Sequence, residues 1–100
     1  MNNSKQLSNL LGLAQRAGKL ISGEELVVNA IQSQKATLIF LANDAGTNLV
    51  KKINDKSHYY NVEVSTVFST LELSAAIGKP RKVIAVCDAG FSKKMRTLMR

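Results

Sequence analysis

Thr37-Leu38-Ile39-Phe40-Leu41-Ala42 is an apolar run of strand length without the in-out alternation of a half-exposed strand. Such a run belongs in a sheet that is covered on both faces, so helices must pack on both sides of it. The flanking periodicity agrees. Leu7, Leu10, Leu11 and Ala14 recur at helical spacing after Ser4, which suits an N-cap, and predict an amphipathic helix over Lys5 to Arg16 that stops near Gly18. A short extended piece, Lys19 to Ile21, follows. Ser22-Gly23-Glu24-Glu25 then places two carboxylates at the positive end of a second helix, whose apolar stripe is Leu26, Val27, Ala30 and Ile31 and which runs to about Ser33. Beyond the central run the pattern predicts a helix from Ala45 to His58, a strand over Val62 to Val67 and a helix over Thr70 to Ile77. A strand over Lys82 to Cys87 and a closing helix over Gly90 to Leu98 complete it. This alternation gives an α/β fold, a three-layer α-β-α sandwich with right-handed crossovers around a mixed or largely parallel sheet of about four strands.

At 100 residues, 45% of them hydrophobic, the chain has material for one core and reads as a single domain over residues 1–100. A barrel of about 250 residues is excluded. The one cysteine, Cys87, can form neither an internal disulfide nor a cysteine-based zinc site, which fits a reducing, cytoplasmic setting. Met1 to Leu11 lacks the apolar core of a signal peptide, and no window approaches the ~18 apolar residues of a membrane span.

Fourteen Lys plus Arg against seven Asp plus Glu give a formal charge of +7, which favours RNA, DNA or an acidic protein surface as partner. The cations are placed unevenly. Lys79, Arg81 and Lys82 put three in four positions, in a loop whose shape Gly78 and Pro80 restrict, which suits contact with a phosphate backbone. Lys19, the helix start at Gly23 and this loop are expected on one edge of the sheet, where helix N–H groups would add to an anion site. Lys93, Lys94 and Arg96, with Arg100 beyond, are expected on the exposed face of the last helix. The five aromatics are not interleaved with cations, which argues against a stacking platform for single strands.

Catalytic constellations are sparse. Asn43-Asp44-Ala45-Gly46 and Cys87-Asp88-Ala89-Gly90 each end an apolar strand with Asp-Ala-Gly. Asp44 and Asp88 are therefore either helix caps or a pair of neighbouring carboxylates at one sheet edge, and capping is the favoured reading. No Gly-x-Gly-x-x-Gly or Walker-type loop is present, and the early acidic cluster of a phospho-acceptor domain is missing. His58, the single histidine, suits a helix C-terminus better than a catalytic or metal role. Cys87, in an apolar strand beside an aspartate, reads as a packed residue without an activated thiol.

Gly18-Lys19-Leu20-Ile21-Ser22-Gly23-Glu24-Glu25, Asn29-Ala30-Ile31, Ala36 to Ala45 and Glu72 to Gly78, in this order from about Leu7 to Phe91, together resemble the ribosomal-protein superfamily that binds kink-turn RNA. Within it the chain is nearest to small bacterial members. The resemblance implies an α-β-α sandwich that binds a sharply bent RNA duplex and catalyses no reaction. The helix after the short first strand would enter the widened groove, and a loop near the last strand would hold an extruded nucleotide. Carried over by position, the RNA-binding residues are Lys19, Gly23, Glu24, Glu25 and Asn29, with Lys79, Pro80, Arg81 and Lys82 from the loop. With Gly23 aligned, the family's polar pair falls on Glu25 and Leu26 and its later lysine on Asn29. Leu26 has no group that can hydrogen-bond a base edge.

The expectation is thus a monomeric, cytoplasmic RNA-binding protein, with no cofactor and no metal, working with structured RNA in a ribosome-linked or other ribonucleoprotein setting. Ribosomal or translation-associated proteins are the further partners this implies. A protein-interaction module on the same fold is the alternative.

Overall fold

A computed structural model describes residues 3–99. Nine elements follow one another: α1 (Asn3–Arg16), β1 (Leu20–Ser22), α2 (Glu24–Gln32), β2 (Leu38–Leu41), α3 (Thr47–Tyr59), β3 (Val64–Ser65), α4 (Thr70–Ile77), β4 (Val83–Val86) and α5 (Ala89–Met99). The four strands form one mixed sheet in the order β1-β4-β2-β3. β4 runs antiparallel to both β1 and β2, and only β2 and β3 are parallel, so of the two sheet arrangements expected from the sequence the mixed one is found.

Every residue of β2 and β4 is buried, as the unbroken apolar runs require. Because successive side chains leave a strand on opposite faces, each central strand feeds two cores. Leu38, Phe40, Ile84 and Val86 meet Leu7, Leu11 and Ala14 of α1, Leu73 of α4 and Met95 of α5. On the other face Ile39, Leu41, Val83 and Ala85 meet Val27, Ala30 and Ile31 of α2 and Ile53 of α3. Three helices therefore cover one face and two the other. Truncating a residue such as Phe40, 1% exposed between the layers, would cost about 3–5 kcal/mol.

Several boundaries differ from expectation for physical reasons. Ser4 lies inside α1, which starts at Asn3, and so is not its N-cap. β3 is only two residues long, because it pairs with β2 alone at the sheet edge and nothing rewards extending the ladder to Val62 or Val67. Cys87 lies just past β4 and is half-buried; burial raises its thiol pKa. α4 carries a full capping box, in which the Ser69 hydroxyl accepts from Glu72 N–H while the Glu72 carboxylate accepts from Ser69 N–H. Among the described residues no helix is long and apolar enough to cross a membrane.

Candidate nucleic-acid interface

The antiparallel pairing of β1 with β4 brings together two segments that are far apart in the chain. Ser22 lies opposite Ile84, and the Gly23 N–H donates to the Val83 carbonyl at 3.1 Å. The residues entering β4 are thereby set beside the start of α2. α4 ends at Gly78, whose φ of 79° turns the chain in the left-handed conformation that glycine tolerates, and Lys79 to Lys82 lead from there into the strand.

Within this loop Arg81 is held at several points. The Ser74 hydroxyl accepts from its backbone N–H at 3.1 Å and donates to its carbonyl at 3.3 Å. Its Nη1 donates to the Pro80 carbonyl at 2.8 Å and its Nε to Ser22 Oγ at 3.1 Å. A Cβ placed on Gly23 would stand 3.9 Å from that same Nε. The guanidinium consequently sits at the opening of α2, with Lys79, Pro80 and Lys82 exposed around it. Gly23, the N-cap residue, supplies no side-chain acceptor to the helix. Positive helix-end dipoles and a fixed guanidinium at one point make a favourable place for an anion.

The sheet geometry sorts the remaining expected site residues. Glu24, Glu25 and Asn29 are exposed on α2, where they share a shallow depression with Val28 and Lys52 of α3. Glu24 accepts from Lys52 Nζ of α3 at 2.8 Å, and that hydrogen bond, followed by the charges of Glu24 and Glu25, raises the Lys52 pKa. Leu26 is 58% exposed and so is not part of the buried stripe, which consists of Val27, Ala30 and Ile31. Lys19 does not join this edge. Its carbonyl accepts from Cys87 N–H at the far end of the β1–β4 ladder, and the four residue steps from Lys19 to Gly23 span about 13 Å of extended chain.

The two aspartates part company as well. β2 and β4 are antiparallel, so their C-terminal ends, and with them Asp44 and Asp88, lie at opposite poles of the sheet. A shared two-carboxylate site is therefore ruled out. Asp88 caps α5 by accepting from Phe91 N–H at 2.8 Å. Asp44 does not cap α3, whose N-cap is Gly46; it accepts instead from the backbone N–H of Thr70 at 2.9 Å and from its hydroxyl at 2.7 Å, pinning the start of α4. The Thr70 hydroxyl, then the Thr70 N–H, lower the Asp44 pKa below the ordinary 3.8.

The second basic cluster also divides. Lys93 and Lys94 are exposed, whereas Arg96 is half-buried, donating to Glu63 Oε1 at 2.8 Å and to the Thr37 carbonyl. Arg96 thus fastens α5 to the sheet and is not a surface cation. Arg100 lies outside the described residues. His58 is exposed near the end of α3, and among the described residues no three His, Cys, Asp or Glu side chains are grouped to hold a metal ion. Ser74, Lys52 and the role of Ser22 as a partner of Arg81 are not foreseeable from the sequence. Nothing in local spacing announces contacts across 59 and 28 residues.

The fold and the arrangement of this edge define a small mixed-sheet sandwich with a basic loop beside a helix opening. The chain belongs to the Ribosomal protein L7Ae/L30e/S12e/Gadd45 family, whose match extends over residues 5–96. It is 50% identical over 97 residues to the RNA-binding protein YlxQ of Enterococcus faecium, covering 97% of this chain and 94% of that protein. With the RNA-binding protein YlxQ of Bacillus subtilis (strain 168) it shares 46% identity over 91 residues, covering 90% of this chain and 91% of that one. A solved structure of a protein with unknown function from Bacillus halodurans superposes with a TM-score of 0.90 at 46% identity, covering 94% of this chain and 96% of that one.

Proposed function

We propose that this chain binds structured RNA without catalysing a reaction, and that the opening of α2 and the Lys79 to Lys82 loop are its RNA-facing edge. Family membership and the YlxQ relatives support RNA as the ligand class. The observation that carries the site is the Arg81 to Ser22 hydrogen bond, which joins the helix opening to the basic loop in one surface. In this reading Arg81, Lys79 and Lys82 contact phosphates, and Gly23 keeps the backbone of the helix start accessible. Glu25 and Asn29 face the groove as hydrogen-bonding side chains. A kink-turn, or a duplex bent in a similar way, is the RNA shape that this edge suits, and the protein acts on it as a monomer in a ribonucleoprotein setting.

The test is a titration of the Arg81→Ala, Lys82→Ala double variant and the parent protein against a kink-turn RNA and a straight duplex over a range of salt. The proposal expects broad weakening, with the slope of log affinity against log salt reduced by roughly 0.7–0.9 for each phosphate that the variant no longer neutralises. A preference of the parent for the kink-turn over the straight duplex supports the finer assignment. Unchanged affinity and slope would remove the loop from the RNA surface.

A further inference from the structure

The helical layer that includes α1 and α5 carries a feature that the RNA-facing edge leaves unused. Leu13, at the start of the last turn of α1, is 50% exposed and forms a ridge between two grooves. One, of about 330 Å³, lies between α1 and α5 and is lined by Gln6, Leu10, Leu13, Lys94 and Leu98 among others. The other, of about 350 Å³, lies between α1 and α4, where Arg16 joins its wall. At Gly12 the two helices approach closely, so that an added Cβ would come within 3.2 Å of the Ala76 carbonyl.

The charge carried by α1 and α5 is one-sided, and the acid of neighbouring α4, Glu72, is engaged in its capping box with Ser69. Neither α1 nor α5 contains an aspartate or glutamate within its described length. Lys51–Asp55, Lys52–Glu24 and Arg96–Glu63 pair within the described residues, and none of these carboxylates meets Arg16, Lys93 or Lys94. The result is an apolar ridge and groove with an uncompensated cationic rim. An anion with no apolar side would leave Leu13 and Leu98 unused, and an apolar segment with no acid would leave the rim uncompensated.

We propose that the α1–α5 groove docks an acidic, amphipathic segment of a protein partner, with an apolar side chain in the groove beside Leu13 and carboxylates meeting Arg16 and Lys94. The seat is small, which places the contact among weak, regulated encounters. Leucines at helical spacing would straddle the Leu13 ridge, and the charges would set orientation and rate of encounter. The site lies on helices separate from α2 and the Lys79 to Lys82 loop, so RNA and the partner segment bind without displacing each other.

The experiment pans a phage library of random 15-residue peptides on the intact protein, with counter-selection against the Arg16→Glu, Lys94→Glu double variant. Expected survivors are net acidic, with Leu, Ile or Phe at helical spacing. A synthetic survivor should shift amide resonances of α1 and α5, and should bind about tenfold more weakly to a Leu13→Ser variant. Leu13 is half exposed, so that variant should keep the parent spectrum, and its affinity for a kink-turn RNA should stay within about twofold. Neutral or basic survivors, or none, would overturn the proposal. So would an RNA duplex that shifts the α1 and α5 amides, because the surface would then be a nucleic-acid face.

Discussion

Arg81 Nε lies 3.1 Å from Ser22 Oγ, so a cation on the loop between α4 and β4 is fastened to the residue that precedes the opening of α2. The contact fixes the direction of the guanidinium before any ligand arrives, and a group ordered in advance loses less freedom on binding. Ser22→Ala should therefore weaken RNA binding by a few-fold while leaving the salt slope unchanged, because no charge is removed. Arg81→Ala should weaken it further and lower the slope. Fluorescence titrations of the two variants at several salt concentrations separate positioning from charge.

Gly23 has φ 96° and ψ 147°, a region that is strongly unfavourable for residues with a side chain. Space is not the obstacle, since a Cβ there would meet nothing closer than 3.9 Å. Gly23→Ala should accordingly cost about 1–3 kcal/mol in urea unfolding, through backbone strain. Gly23→Val, whose β-branched side chain tolerates this backbone angle no better, should destabilise the fold as well. Any fall in RNA affinity has to be measured on the fraction that remains native.

Asp44 tests stability against pH. Its folded-state pKa is depressed by Thr70, so its stabilising contribution is present above the unfolded value near 3.8 and is lost as pH falls through the lower folded value. The difference in urea midpoint between the parent and Asp44→Asn should be constant above about pH 5 and shrink progressively toward more acid conditions. Asp88→Ala should lose about 1 kcal/mol through its cap on α5, and Asp88→Asn less. RNA affinity at neutral pH should hold in all of these variants.

Arg96 joins α5 to Glu63 and to the Thr37 carbonyl. Arg96→Ala should lower stability by about 1 kcal/mol, leaving RNA affinity nearly untouched. A Lys93→Ala, Lys94→Ala protein should fold as well as the parent. If its RNA affinity falls as far as that of the loop variant, measured side by side, the RNA surface extends onto α5.

What the sequence discloses depends on how locally each feature is determined. Leu38 to Leu41 and Val83 to Val86 are recognisable as central strands because burial on two faces leaves a run of consecutive apolar residues. α4 falls at Thr70 to Ile77, as expected, since its start and stop signals, Ser69 and Gly78, are both in the chain next to it. Strand direction leaves no such mark. Without it Lys19 reads as part of the Gly23 and loop cluster, and Asp44 and Asp88 as possible neighbours, although antiparallel pairing sets the loop beside Gly23 at the end of β1 away from Lys19 and puts the two aspartates at opposite poles. Leu26 reads as buried because it adjoins Val27 on the wheel of α2, and only the position of the sheet decides where the buried arc ends. Side-chain fastenings such as Arg81 to Ser22 depend on that same tertiary geometry.

The order β1-β4-β2-β3 gives synthesis of the chain a definite schedule. β4 is a central strand, yet it is the last to be made, and until it emerges β1 has no neighbour to pair with and β2 has one bare flank. A ribosome that has completed α4 carries a nascent chain whose two sheet halves are unjoined and whose Ser22 has not met Arg81. Closure of the sheet and the meeting of Arg81 with Ser22 are then a single late event, dominated by contacts distant in sequence, and such contacts slow folding. A chain that stops short of Val83 lacks more than its last helix: it has no means of holding its first strand, and the Lys79 to Lys82 loop has no strand to seat it beside Gly23.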